Sequence, residues 1–417
     1  MILNTLDKNN NSLFSNSIYL YLSYFSDYIL SIFLLPFIAR TVGAVELGTI
    51  GVFQTFGIFI SLLMEFGSSL FITKEISKLR DNKNETKVLI GKVFTLKISL
   101  IPVSIFISII AYFFVPIFSN NPKYIVIVLL GSIFHGLTPN WFFEGNEKMK
   151  QLACSKILFR LVSFVMILTF VKSPLDGWKF LTILLMSSFF ICLYLSIVMI
   201  KSTGLPKIFN FNGLIRLSNQ SIISFLITII PLLFQNISIF ALSISISPIQ
   251  LGILYGANRI YRAFNSLFSP LSQAFFPIIS SKYVTSEIES KSLIKNYLIL
   301  ILSLGIIFLL TILFFSNQII LILLGSEYLS AQNALIIFGF VLPLTAVSNS
   351  LGRQWLLAKN NDLEYLISNL ISFVVTMVAF FPMLESLRAL SFPLSLIIYE
   401  ITNISMASLF ILKNKSK

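Results

Sequence analysis

Residues 217–258 read LSNQSIISFLITIIPLLFQNISIFALSISISPIQLGILYGAN, without one charged side chain or histidine. A bilayer core takes about 20 helical residues. This stretch is therefore too long for one crossing and too apolar for a water-soluble fold. Pro248, Gln250 and Gly252 interrupt it, a combination that marks a turn between two crossings. The same alternation of uncharged runs and short polar joints extends from about residue 15 to residue 412. Only 11% of the residues are charged, 42 are Phe, and the mean hydropathy is +0.90. The runs are continuous rather than alternating, so they read as helices and not as barrel strands.

Twelve spans are expected, near residues 15–40, 48–73, 92–117, 122–143, 151–171, 179–200, 217–246, 250–280, 294–316, 331–357, 363–383 and 388–412. The fold class is an all-α integral membrane protein of about 12 transmembrane helices. Of the 30 Lys and Arg residues, 21 fall in joints on the side that holds the N-terminus; Lys74, Lys78, Arg80, Lys83, Lys87 and Lys92 share one joint. Five lie on the other side (Arg40, Lys123, Lys172, Lys179 and Arg388) and the remaining four within spans. The rich side is the cytoplasmic one, which puts both termini in the cytoplasm. The net charge of +13 then records membrane orientation. No concentrated basic face of the kind nucleic acid requires is visible. The first 14 residues lack a basic region followed by a small-residue cleavage site, so span 1 is expected to act as the targeting signal itself. Cys154 and Cys192 lie inside spans, read as small apolar fillers, and say nothing of redox compartment.

Sliding the chain by 204 residues superposes the spans. Glu46-Leu47-Gly48 falls on Gln250-Leu251-Gly252, Phe71 on Phe275, and Ser77-Lys78 on Ser281-Lys282. Six spans separate the copies, so both insert with the same orientation. Two parallel six-helix lobes, residues 1–205 and 206–417, are expected, with a hinge in the joint at 201–216. Parallel repeats of this kind are a transporter architecture with the substrate path between halves. There is no large loop to hold a nucleotide and no phosphate-binding P-loop motif. The driving force is expected from an ion gradient, the membrane potential or the substrate's own gradient.

Charges inside a bilayer are costly and face a bundle interior or a wet cavity. Seven occur: Asp27, Glu65, Lys97, Arg160, Arg259, Arg262 and Glu400. Arg259 and Arg262 are three apart and share one helix face, on a polar stripe with Asn258, Asn265, Ser266 and Gln273. Two guanidiniums with no acid nearby in sequence suit phosphate oxygens; the competing reading pairs each with an acid on another helix, such as Asp27 or Glu400. Asp27 and Glu400, near the middle of the first and last spans, either bind a proton or Na⁺ for coupling or neutralise an arginine. Glu65 and Lys97 lie at similar depth and read as an ion pair, with a role at the cytoplasmic mouth as the alternative. Arg160 is about nine residues into its span, from where it can snorkel to the interface. His135, the one histidine, reads as packed or interfacial. With one His and two Cys, neither a metal site nor a hydrolytic constellation assembles, and no cofactor or enzymatic activity is expected.

Residues 138–150, TPNWFFEGNEKMK, resemble the signature after span 4 of the Wzx-type polysaccharide flippases, through Pro139, Trp141, Gly145, Glu147 and Lys148. Residues 39–55, ARTVGAVELGTIGVFQT, are similar to that family's first outside turn, and residues 64–80 to the end of its second span, with Glu65 where aspartate is more usual. Residues 251–280 resemble its span 8, and residues 323–335, LLGSEYLSAQNAL, its turn into span 10. The resemblance covers most of the chain in order. It implies membership of the multidrug/oligosaccharidyl-lipid/polysaccharide (MOP) exporter superfamily and a MATE-like fold. The implied activity is movement of an undecaprenyl-diphosphate-linked sugar repeat unit, an O-antigen or capsule unit, from the cytoplasmic to the periplasmic leaflet of the bacterial inner membrane. The implied partners are a polysaccharide polymerase and a chain-length regulator.

Three competing readings stand beside it. A multidrug exporter of cations would favour acids over the Arg259/Arg262 pair. A flippase of the peptidoglycan lipid precursor would usually have about fourteen spans. A membrane polymerase would call for a large outside loop.

Overall fold

The computed structural model describes the backbone of residues 2–79, 82–206 and 214–415, and the side chains of these except 2–32, 69, 70, 214, 215, 277, 284, 414 and 415. The Asp27 side chain and residues 207–213 of the expected hinge lie outside the described residues.

Among the described residues the chain is helical and carries no strand. The helices are α1 Ile2–Glu65, α2 Thr73–Lys78, α3 Lys83–Phe114, α4 Pro116–Ser119, α5 Pro122–Leu137, α6 Asn140–Gly145, α7 Met149–Phe170 and α8 Gly177–Thr203. They continue as α9 Leu214–Ser245, α10 Pro248–Ser266, α11 Phe268–Thr285, α12 Glu287–Leu323, α13 Gln332–Asn349, α14 Asp362–Leu387 and α15 Ser391–Lys415. Nine described helical stretches are long and apolar enough to cross a membrane; the stretch Asp362–Lys413 holds both of the last two expected spans. Phe106, Phe113, Phe114, Phe170, Phe314 and Val378 stand exposed on these helices, as side chains that meet lipid do.

Two joints differ from the sequence expectation. Spans 1 and 2 run as one element, α1, whose only non-helical residue is Gly43 at φ 74° and ψ 172°. Glycine adopts that conformation without a Cβ penalty, so the chain turns there without a loop. Span 8, expected over 250–280, is broken at Leu267 into α10 and α11. Pro270 has no N–H to give the Ser266 carbonyl, and a helix commonly breaks where a proline removes that bond.

The chain packs as two compact units, Met1–Leu34 with Phe56–Ile229, and Leu35–Thr55 with Ile230–Lys417. This division follows packing; the division at 205/206 expected above follows the repeat.

In the first unit, α6 is the anchor. Trp141, Phe142 and Phe143 are buried with Ile72, Ile76, Ile90, Val93, Leu152 and Leu195. A Cβ on Gly145 would lie 2.6 Å from the Ile76 side chain and 2.9 Å from the Thr73 carbonyl oxygen. The segment quoted above for its resemblance is thus a packing device: Pro139 ends α5, and Trp141 fills the space that Gly145 lets α2 approach.

In the second unit, Phe234 stacks on Tyr399 and Phe392, and Tyr261 stacks on Phe338. The turn of α1 near Gly43 is fastened to it. Arg40 donates to the carbonyls of Leu321 and Ile322 at 3.0 and 2.8 Å, satisfying the open end of α12. The Tyr328 hydroxyl donates to the Ala39 carbonyl at 3.1 Å, and the Ala44 N–H to Glu327 at 3.4 Å.

Residues that the 204-residue repeat equates touch one another in this unit. A Cβ on Gly48 would lie 2.7 Å from the Gly252 backbone nitrogen, and one on Gly252 only 1.7 Å from the Ala44 carbonyl oxygen. A Cβ on Gly51 would lie 2.4 Å from the ring of Tyr255. Small residues let helix backbones meet at this distance. Like positions meeting like is the contact that a twofold relation produces.

Candidate functional site

The close crossing of α1 and α10 decides what stands beside the arginines. From Pro248, the first residue of α10, Arg259 and Arg262 lie about 16 and 21 Å along the helix at its 1.5 Å rise. Both distances are shorter than the thickness of a hydrocarbon core, about 30 Å. Gln54, one turn beyond Gly51, faces them. Its Oε1 accepts from the Tyr255 hydroxyl at 2.8 Å and from Arg259 Nη1 at 2.9 Å. Arg262 Nη2 donates to Gln235 Oε1 on α9 at 2.9 Å. Arg259 also lies 6.0 Å from the centre of the Tyr255 ring.

Both arginines therefore rest on neutral amide oxygens. Among the described residues neither forms an ion pair, and the two guanidiniums are near enough to repel each other. Neither is fully enclosed, and no nitrogen of either is among the buried polar atoms without a partner. The remaining guanidinium donors can thus receive an anion. Pairing with Glu400, one of the alternatives left open by sequence, is not what the described side chains do. Glu400 accepts from the Thr345 hydroxyl at 3.0 Å, with Ser348 beside it.

The rest of the expected polar stripe divides. Asn258 is buried and lines, with Gly48, Tyr255, Leu254, Ile239 and Phe392, a cavity of about 10 Å³, room for about one water. Asn265 Oδ1 is buried without a partner. Gln273 falls beyond the break at Leu267 and donates to Ser269 on its own helix at 2.9 Å. The expected stripe from Asn258 to Gln273 is interrupted by the turn at Leu267, which leaves Gln273 on the next helix. Gln54 and Gln235 were missed by sequence reasoning, although an amide inside an apolar span was a signal available for Gln235 in residues 217–258 and for Gln54 in residues 39–55.

Lys97 and Glu65 do not make the expected direct ion pair. Lys97 is buried and its Nζ donates to the Gly136 carbonyl at 2.6 Å; Glu65 acts on it from beyond 4.0 Å. The reason lies at the end of α5. Pro139 has no N–H, and the Asn140 N–H turns to the Thr138 carbonyl at 2.9 Å. The Gly136 carbonyl, which residue 140 would satisfy in a continued helix, is left open, and the ammonium closes it at the negative end of the helix dipole. Glu144 on α6, which sequence reasoning passed over, is a further acid close to Glu65 and Lys156. His135 stands exposed on α5.

A family model described as polysaccharide biosynthesis protein matches residues 13–283, more than half of the chain. The chain belongs to that family. Over 418 residues it is 26% identical to a protein of Escherichia coli (strain K12) named "Putative O-antigen transporter", covering 98% of this chain and 99% of that one. A Shigella dysenteriae protein of the same name is 23% identical over 404 residues, covering 95% and 98%. Among solved structures, the lipid II flippase MurJ in an inward closed conformation is similar with a TM-score of 0.72 at 16% identity, covering 95% of this chain and 87% of that one. An inward-facing multidrug resistance transporter of the MATE family and MOP superfamily gives 0.67 at 15% identity, covering 95% and 94%. This family member thus has the MOP fold, a multi-pass helical membrane architecture.

Proposed function

We propose that this protein is a flippase for lipid-diphosphate-linked oligosaccharides, carrying an O-antigen or capsule repeat unit on undecaprenyl diphosphate from the cytoplasmic to the periplasmic leaflet. The observation that carries the reading is the pair of membrane-embedded arginines, Arg259 and Arg262, held by amide oxygens and left without a carboxylate among the described residues. A charge at such depth costs several kcal/mol, and a diphosphate offering charge-assisted contacts to both guanidiniums would offset that cost while it is bound. Amide and hydroxyl groups around them, from Gln54, Gln235 and Tyr255, suit sugar hydroxyls. The likeness to proteins named as O-antigen transporters supports the same substrate class. An exporter of cations would be poorly served by two positive charges here.

The architecture proposed is two parallel six-helix lobes, residues 1–205 and 206–417, working by alternating access in the bacterial inner membrane. Both termini are placed in the cytoplasm in this reading, which the distribution of Lys and Arg supports. Coupling to an ion gradient is proposed at Glu400, whose described partners are hydroxyls rather than cations, together with Asp27. Glu65 and Lys97 stand near the proposed cytoplasmic mouth. A polymerase and a chain-length regulator are the proposed downstream partners.

Export of repeat units in a strain lacking the wild-type gene tests the reading. At matched protein abundance, Arg259→Ala or Arg262→Ala should cut surface polysaccharide at least tenfold, with lipid-linked units accumulating on the cytoplasmic leaflet. Arg→Lys should restore export only in part, because lysine keeps the charge and loses the planar fork. Wild-type polysaccharide from the double alanine variant would refute the headgroup assignment.

A further inference from the structure

Two basic groups in one membrane-embedded site are usually balanced, because unbalanced charge there is costly. Here the side chains that hold Arg259 and Arg262 could each have been a carboxylate of nearly the same shape. Glutamine and glutamate differ by one atom type at the tip. A glutamate in either place would accept the same guanidinium hydrogen bond and cancel its charge. The chain has instead Gln54, whose Oε1 takes both the Tyr255 hydroxyl and Arg259, and Gln235, whose Oε1 takes Arg262.

We infer that Gln54 and Gln235 are positioning residues that aim the two guanidiniums while leaving both charges uncancelled, and that this neutrality makes the site select a diphosphate over a monophosphate. The inference rests on the reading of the arginine pair as the headgroup site. An amide oxygen fixes one nitrogen of each arginine by its dipole and leaves the other donors free. Among the described residues the pair keeps about two units of positive charge. A diphosphate ester carries roughly two to three negative charges at neutral pH and presents oxygens on two phosphorus atoms, one group for each fork. A monophosphate can satisfy one fork well, and the second arginine is then left without its anion. Positions of the two clamps on different helices, α1 and α9, hold the forks apart independently. Arg259 is a donor only and so requires the Gln54 oxygen rather than its NH₂, and the Tyr255 hydroxyl donates to the same oxygen.

The test uses the purified full chain in lipid nanodiscs, with farnesyl diphosphate and farnesyl phosphate as probes at fixed salt. Wild-type protein should bind the diphosphate at least tenfold more tightly than the monophosphate. Gln54→Glu and Gln235→Glu should each weaken diphosphate binding at least tenfold and flatten the preference, while the thermal unfolding temperature stays level or rises. A merely structural role predicts the same stability, from a new ion pair, but leaves diphosphate binding and the preference intact. Gln54→Met and Gln235→Met remove the hydrogen bond and keep the neutrality. They should lose about threefold in affinity and retain the diphosphate preference, and this comparison decides the matter should a glutamate variant fail to fold. Methionine variants that bind both probes equally would overturn the inference, as would glutamate variants that bind like wild type. If those glutamate variants bind normally but Arg259→Ala/Arg262→Ala does not, the clamp alone is wrong. If the double alanine variant also binds normally, the headgroup reading itself has failed.

Discussion

Residues 44–65 of α1 and helix α10 occupy equivalent places in the 204-residue repeat, and they have diverged in one respect. Their first turns remain alike: Gly48 meets Gly252, and Gly51 lies against its counterpart Tyr255. One turn further the two part company. Thr55, the counterpart of Arg259, is buried and returns its hydroxyl to the Gly51 carbonyl at 2.8 Å. Ile58, the counterpart of Arg262, is an exposed apolar side chain. The scaffold is shared and the charge is not. One copy supplies the arginines; the other, through Gln54, supplies an acceptor for them. A repeated helix pair can thus carry an asymmetric pair of arginines, the proposed anion site, without altering the crossing that holds the pair together.

The largest effect expected from breaking this comparison is at the crossing. Gly252→Ala puts a Cβ 1.7 Å from the Ala44 carbonyl oxygen, an obstacle made of backbone that cannot rotate away. Overpacking typically costs about 1–3 kcal/mol and occasionally more, and the loss here should reach or exceed the top of that range, read as little folded protein in the membrane. Gly48→Ala should be milder, at 2.7 Å from the Gly252 nitrogen. Equal expression of the two variants would mean that the crossing is looser than described.

Next come the diverged positions themselves. Arg259→Ala and Arg262→Ala should remove at least nine tenths of export, whereas Thr55→Ala and Ile58→Ala, at the equivalent positions, should leave more than half. A loss as large at Thr55 or Ile58 would assign the effect to helix packing and not to charge. Glu400→Gln preserves an acceptor for Thr345 and removes the titratable group. It should therefore weaken the dependence of export on the ion gradient several-fold while the unfolding temperature moves little. Unchanged gradient dependence would exclude Glu400 from coupling.

The smallest effect expected is at Lys97. Lys97→Met leaves the Gly136 carbonyl without its donor, a buried unsatisfied acceptor that costs about 1–3 kcal/mol. A modest fall in unfolding temperature should follow, with export per folded molecule preserved. A large fall in export at unchanged stability would restore a role at the cytoplasmic mouth.

The residues quoted at the outset, 217–258, determined by themselves that the chain crosses a bilayer repeatedly, because apolar length without charge has no other satisfied state in water or lipid. The helical stretches, the turn at Pro248 and the exceptional pair Arg259/Arg262 were legible in the same way, since each is a local property of composition and spacing. Partners were not. That Lys97 closes a helix end and does not clasp Glu65 depends on where Pro139 breaks α5 relative to α3. That Arg259 meets Gln54, 205 residues away, depends on two glycines that allow α1 and α10 to touch. Uncharged apolar length fixes which segments enter the membrane, and hydrogen-bond partners are chosen only when the helices cross, because a side chain's reach is a few ångströms and the sequence carries no measure of that distance.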